Sequence, residues 1–209
     1  EGGSSSYIEP MTARFRDRIK LSTPVTEVIR TDECIQVLTA DGVEEFDQIV
    51  MACHSDQALA LLHHPTVDEE QILGAMGYQI NDVILHNDES LMPRKSLSWA
   101  SWNFLTGQTD RNEPPLVTYS MNILQGLSSA SPFLLSLNAR HKIDPQKIMQ
   151  EFSYAHPVFS MESMEAQSRR KEISGTDRIH YCGAYWYSGF HEDGVRSALD
   201  VCERFGLAL

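Results

Sequence analysis

Three titratable residues in a row, His191, Glu192 and Asp193, stand just before Gly194 and Val195, near the end of this 209-residue chain. An imidazole beside two carboxylates can move protons. Asp193 also fits the N-cap of a helix opened by Gly194 and Val195, and capping is the stronger fit. The surrounding segment, Asp177 to Leu209, reads as strand, small-residue turn, aromatic loop and helix. The strand is expected to end at Gly183-Ala184, where small residues let a ligand approach the backbone closely. Tyr185, Trp186 and Tyr187 either line an apolar pocket or fill core. Val195, Ala198, Leu199, Cys202 and Phe205 recur at helical spacing and predict the buried face, with Gly206 as the stop. A helix N-terminus beside such a turn can hold a negatively charged ligand. An ordinary strand-loop-helix fits the spacing equally well.

Other reactive side chains lack partners at useful spacing. His86 and Asp88 invite a metal or a base, but no third ligand follows, so core or surface roles fit better and no metal is expected. His63-His64 precedes Pro65 and reads as exposed. Ser4, Ser5 and Ser6 lack a G-x-S-x-G setting, which excludes a serine hydrolase of that kind. Trp99, Trp102 and Asn103 fall in a predicted strand, with Trp99 and Asn103 on one face, forming a substrate wall or, the stronger fit, packing the sheet. Cys34, Cys53, Cys182 and Cys202 are widely spaced and read as free thiols in a reducing cytoplasm.

The elements that position these residues follow from periodicity. Ile8, Met11, Phe15 and Ile19 predict a helix over 8–19. Strands are predicted over 25–31, 34–39 and 44–53, with Asp41-Gly42 as a hairpin turn. Ser55 or Asp56 caps a short helix to Leu62, and Asp68, Glu69 and Glu70 open another over 67–76. Strands follow over 80–86, 96–104, 116–121 and 133–137, with a polar loop over 110–115. Asp144-Pro145 predicts a helix over 146–152, and another is expected over 162–171. The apolar run ending at Cys53 and the strand ending at Gly183 are the best candidates for one shared sheet. The chain would then leave one domain, traverse another and return. A hydrophobic share of 42% supports a sizeable core, and a formal charge of −12 argues against nucleic acid and anionic membranes as partners. No apolar run approaches membrane-spanning length.

Several runs carry a family resemblance: GGSSSYIEPMT (2–12), IVMACHSDQALALL (49–62), ILHNDESLMPRKSLSWASWNF (84–104), TYSMNILQGL (118–127) and CGAYWYSGFHEDGVRSAL (182–199). The chain resembles the predicted NAD/FAD-binding flavoproteins of the flavin-containing amine oxidase superfamily, in the subgroup found alongside cyclopropane-fatty-acid synthases. The resemblance implies an α+β fold, an α/β flavoprotein fragment. A mainly antiparallel substrate-domain sheet with helices would span 63–160, and parts of an FAD-binding domain would span 1–62 and 161–209. It places Val25 against the adenine, Gly183 and Ala184 near the pyrophosphate and ribityl chain, and Gly194 and Val195 facing the flavin ring. Tyr185, Trp186, Tyr187 and Trp99 become candidate substrate contacts.

The sequence departs from the family pattern in three ways. It has no G-x-G-x-x-G, Ala184 follows Gly183 where relatives carry an acid, and the stretch Gln79 to Leu85 offers Gln79, Asn81 and Asp82 where amine-oxidising relatives place a lysine. With Glu1 at the start instead of methionine, the chain is expected to be a C-terminal part of a longer flavoprotein. The implied parent is an FAD-dependent oxidoreductase acting on a C–N or C–C bond of a small, apolar or lipid-like molecule. A redox-neutral flavin isomerase and a noncatalytic domain that keeps the fold are the alternatives.

Overall fold

The computed structural model describes residues 3–105 and 116–207, so the polar loop predicted over 110–115 lies outside the described residues. In chain order come α1 (Ile8–Thr12), β1 (Val25–Arg30), β2 (Ile35–Thr39), β3 (Gly42–Phe46), β4 (Ile49–Met51), α2 (Ser55–Leu61), α3 (Val67–Gly74) and β5 (Gly77–His86). Then follow β6 (Trp102–Phe104), β7 (Val117–Ser120), α4 (Met121–Gln125), β8 (Leu134–Leu137), β9 (Ile148–Val158), α5 (Met161–Ser168), α6 (Arg170–Ile173), β10 (Ile179–Tyr181) and α7 (His191–Arg204). Helix and sheet are mixed, as expected. The chain divides into two compact units, one of Glu1–Arg14 with Gln79–His156, the other of Phe15–Tyr78 with Pro157–Leu209.

In the second unit, β1, β2 and β3 form an antiparallel meander. Thr39 pairs with Gly42, leaving Ala40-Asp41 as a two-residue turn, and Gly42 takes φ 129°, a conformation that disfavours a side chain. Val28 and Ile35 carry this sheet into the core. β4 and β10 pair in parallel, Ile49 with Ile179 and Met51 with Tyr181, so the two apolar runs do share a sheet. Helix α3 begins with a capping box. The Glu69 amide donates to Thr66 Oγ1 at 3.2 Å, and Glu69 Oε2 accepts from the Thr66 amide at 2.8 Å. Glu69 is buried, and its Oε1 meets both the Arg30 guanidinium and the Tyr181 hydroxyl. One carboxylate therefore joins β1, α3 and β10.

The first unit is built on five strands in the order β6-β7-β8-β5-β9. The pairings β6–β7, β7–β8 and β8–β5 are antiparallel, with Thr118 opposite Ser136 and Ser136 opposite Ile84.

Several expectations are corrected. The helix predicted over 146–152 is strand. Asp144 caps as expected, accepting from the Gln146 amide at 3.0 Å, but opens only a single 3-10 turn over Pro145–Lys147. From Ile148 the chain joins the sheet edge, where Phe152 and Tyr154 stack at 5.6 Å. Sheet pairing and β-favouring residues override a helix start signal there. The strand predicted over 96–104 shrinks to Trp102–Phe104. Trp99 lies before it and donates its indole N–H to the Pro93 carbonyl at 2.8 Å. The long N-terminal helix is five residues plus a 3-10 turn at Arg16–Arg18, because neither piece has a buried face to sustain it. Ser55 is the first helical residue of α2 and not its cap. The helix predicted over 162–171 breaks at Arg169 into α5 and α6.

Candidate functional site

The C-terminal segment of the second unit is the site the sequence singled out. Buried β10 ends at Tyr181, and the Cys182 amide continues the pairing by donating to the Met51 carbonyl at 3.0 Å. A 3-10 turn over Ala184–Trp186 then leads toward α7. The helix starts earlier than expected, with Phe190 as N-cap. Asp193 sits at its third position and accepts from the Phe190 amide at 3.0 Å. Gly194 and Val195 are therefore inside the helix, at its fourth and fifth positions. Glu192 and Asp193 already place carboxylates at the positive helix end, which lessens its pull on an anionic ligand.

The buried stripe of α7 also differs from the predicted one. Ser197 and Val201 are buried, while Val195 and Phe205 are about half exposed. Ser197 explains the shift. Its hydroxyl accepts from the Gly183 amide at 2.8 Å and donates to the Gly194 carbonyl at 2.8 Å. That one side chain brings Gly183 and Gly194 together. The two glycines are glycine for different reasons. A Cβ at Gly183 would stand 2.4 Å from the Tyr185 ring, so packing inside the loop requires it. A Cβ at Gly194 would meet nothing within 4 Å. Gly194 thus leaves open space on the helix surface beside the exposed Val195.

The aromatic loop is held from behind. Tyr185 and Trp186 are each 3% exposed and belong to the core; Tyr187 packs against it. The Gln167 amide donates to the Tyr185 and Tyr187 carbonyls at 2.8 and 2.7 Å. Arg170 donates to the Tyr181 and Ser197 carbonyls at 2.8 and 2.7 Å and to Asp200 at 2.6 Å, and it lies 5.3 Å from the Trp186 ring centre. Tyr187 donates to the same Asp200 oxygen; burial first, then this carboxylate, push its hydroxyl pKa up. Behind the loop lies a cavity of about 670 Å³, lined by Lys171, Glu203 and Arg204 as well as by Arg170, Trp186 and Asp200. Its rim charges are mixed in sign. The sequence reading missed Gln167, Arg170, Ser197 and Asp200. The signal for two of them was present, since Ser197 and Asp200 follow Gly194 at steps of three on one helix face.

The remaining predicted residues lie elsewhere. Val25 opens β1 and is partly exposed. Trp99 belongs to the other unit. His86 is fully buried there and takes no metal ligands. Its Nδ1 accepts from the Asp88 amide at 3.1 Å, and its Nε2 contacts Ser136 Oγ at 2.8 Å. Burial pushes the His86 pKa down. Asp88 is buried as well. Burial alone would raise its carboxyl, but the Asp144 amide, the Lys147 ammonium and the Ser90 amide hold it well below the usual carboxylate range. No cluster of three or more His, Cys, Asp or Glu suited to a metal occurs among the described residues. Nor is any helix among them long and apolar enough to cross a membrane.

A family profile described as flavin containing amine oxidoreductase matches residues 1–138, and the chain belongs to that family. No curated protein matches it by sequence. Among solved structures it is similar to a CLA-producing fatty acid isomerase from P. acnes, with a TM-score of 0.63 at 12% identity over 88% of this chain and 48% of that one. It is likewise similar to cyclohexylamine oxidase from Brevibacterium oxydans IH-35A, with a TM-score of 0.58 at 12% identity over 93% and 51% of the two chains. Putrescine oxidase bound to putrescine gives 0.62 at 12% identity over 93% and 51%. The chain spans about half the length of these structures. At such identities the likeness is one of fold.

The helix surface at Gly194 is open, since a Cβ there would meet nothing within 4 Å, and the neighbouring Val195 is about half exposed. The Gly183 amide, committed to Ser197, is not free to bind a phosphate.

Proposed function

We propose that this chain supplies the flavin-facing end and the substrate side of a larger FAD-dependent oxidoreductase. The unit of Phe15–Tyr78 and Pro157–Leu209 would hold the flavin, and the unit on the five-stranded sheet would hold the substrate. The observation that carries this reading is the Ser197 bridge, which fixes Gly183 at the strand end against Gly194 on the helix while leaving Gly194 open. Gly194 and Val195 would support the isoalloxazine ring, Gly183 and Ala184 would pass close to the ribityl chain, and Val25 would meet the adenine. When bound, the flavin accepts hydride from a C–N or C–C bond; the protein positions the substrate and excludes water. The resemblance to the subgroup near cyclopropane-fatty-acid synthases favours a lipid-like substrate.

A redox-neutral isomerisation is the second reading. It is favoured by the amide side chains of Gln79 and Asn81 in the stretch where the resemblance implies a lysine. The test compares the 209-residue chain with the complete open reading frame that encodes it. Only the longer protein should retain yellow, stoichiometric FAD. Full FAD retention by the 209-residue chain would sink the split-site reading. Anaerobic bleaching of the longer protein by alkyl amines or fatty acids marks an oxidoreductase; product formation without bleaching marks the isomerase.

A further inference from the structure

The five-stranded sheet carries apolar residues on both faces, and one of these faces is only partly covered. Strand register sets Trp102, Tyr119, Leu135 and Leu85 in one cross-strand row, and Phe104, Val117, Leu137 and Val83 in the next. Residues directly opposite share a face, as do residues two apart along a strand, so all eight side chains form one apolar surface. Across four strands it is about 14 Å wide. The opposite face carries Ile84 and Leu134 together with His86, Ser136 and Thr118, all buried, the three polar side chains being linked by hydrogen bonds of 2.8 and 2.6 Å. That face is buried, whereas the eight-residue apolar face runs from buried Val83 to Trp102 and Phe104, 54% and 62% exposed.

Beside these rows the surface ends in a polar cluster. Along β5, alternation puts Gln79 and Asn81 on the same side as Val83 and Leu85, and a Gln79–Asn81 side-chain bond of 3.2 Å agrees with this. The cluster fixes its own orientation from the backbone outward. The Asp82 amide can only donate, and it donates to Asn138 Oδ1 at 3.2 Å. Asn138 therefore offers Nδ2, which donates to Asn81 Oδ1 at 2.8 Å. Asn81 in turn offers Nδ2 to His156 Nδ1 at 2.9 Å, so that nitrogen accepts and the ring proton sits on Nε2. His156 is exposed, and its Nε2–H has no partner among the described residues. The arrangement presents one oriented hydrogen-bond donor at the margin of an apolar platform.

We infer that this sheet face binds an elongated apolar molecule ending in an oxygen acceptor, a fatty acid or fatty acyl carbonyl, with His156 Nε2–H donating to that oxygen. Asn81 and Asn138 are positioning residues that hold the donor's tautomer. An alkylammonium is not a ligand for this end, since it offers only donors. The inference rests on reading this unit as the substrate side of the flavoprotein.

The test is calorimetric titration of the full 209-residue chain, without added flavin, with decanoate, methyl decanoate and decylamine. Decanoate and its ester should bind saturably, and decylamine should bind at least about tenfold more weakly. His156→Ala should weaken both oxygen-bearing ligands about tenfold, and Phe104→Ser, at an exposed position, should weaken them through lost apolar contact. Thermal melts establish that each variant is folded. Equal binding of decylamine, or unchanged binding in a folded His156→Ala chain, overturns the inference. Because flavin takes no part in these titrations, a failure here beside FAD retention by the longer protein rejects the ligand class alone. Binding here with no FAD retained by the longer protein rejects the flavoprotein reading alone.

Discussion

His86 has no exposed surface and is enclosed by the Asp88 amide, Ser136 and, through it, Thr118. Its folded pKa is lowered, so the folded chain resists a proton that the unfolded chain accepts. The sign follows directly. Stability is fully present above the unfolded value of about 6.5 and falls as pH drops through it. Asp88, with its pKa also lowered, adds a second loss below the usual carboxylate value near 4. Urea titrations between pH 7.5 and 5 should show falling stability in the parent chain and a flatter profile in His86→Phe. Gly194 makes the opposite kind of prediction. It lies within a helix at ordinary φ with open space around it, so Gly194→Ala should stabilise the chain by about 0.5–1 kcal/mol, read as a higher denaturation midpoint. In the FAD-binding parent the same methyl should weaken flavin retention, because it enters the space proposed for the ring.

At the scale of elements, Glu69 is the test case. Removing it leaves Arg30, whose side chain is 19% exposed, without its carboxylate, and breaks the bond to Tyr181. Glu69→Ala should cost about 3–5 kcal/mol, and Glu69→Gln, which keeps the capping bond, clearly less. Chemical denaturation at constant m would check both. Elements with strong local signals were legible in the sequence. The apolar runs of β4 and β10 marked strands of one shared sheet, and Asp41-Gly42 marked a hairpin whose turn falls one residue earlier, at Ala40-Asp41. Elements decided by partners were not. Ile148 to Val158 carries a true cap signal at Asp144, yet the sheet edge determines its conformation. In α7 the spacing of Val195, Ala198 and Leu199 pointed to the wrong stripe, because buried Ser197 is satisfied by Gly183 and Gly194, a bond no periodicity reveals. For the same reason the glycines of the candidate site could be named from sequence, and the position of Ser197 on their helix face could be read, while the bonds by which Ser197 joins the two glycines and Arg170 holds the loop could not.

For the whole molecule, the family and the mixed fold were both within reach of the sequence, while the division into units follows the chain's path. Residues 79–156 interrupt the other unit, so Met51 must wait for Tyr181, 130 positions later (181 − 51), to complete its pairing. During synthesis β7 and β8 have partners close in sequence, whereas the one described partner of β4, β10, comes only after the interrupting unit has been made. A nascent chain stopped after His156 should show hydrogen-exchange protection at β5 and β8 and none at β4. Protection of β4 in that species would contradict this order. The same separation leaves Ile49–Met51, an apolar strand, without its described partner β10 while the interrupting unit is made, an interval in which non-native pairing competes with the native one.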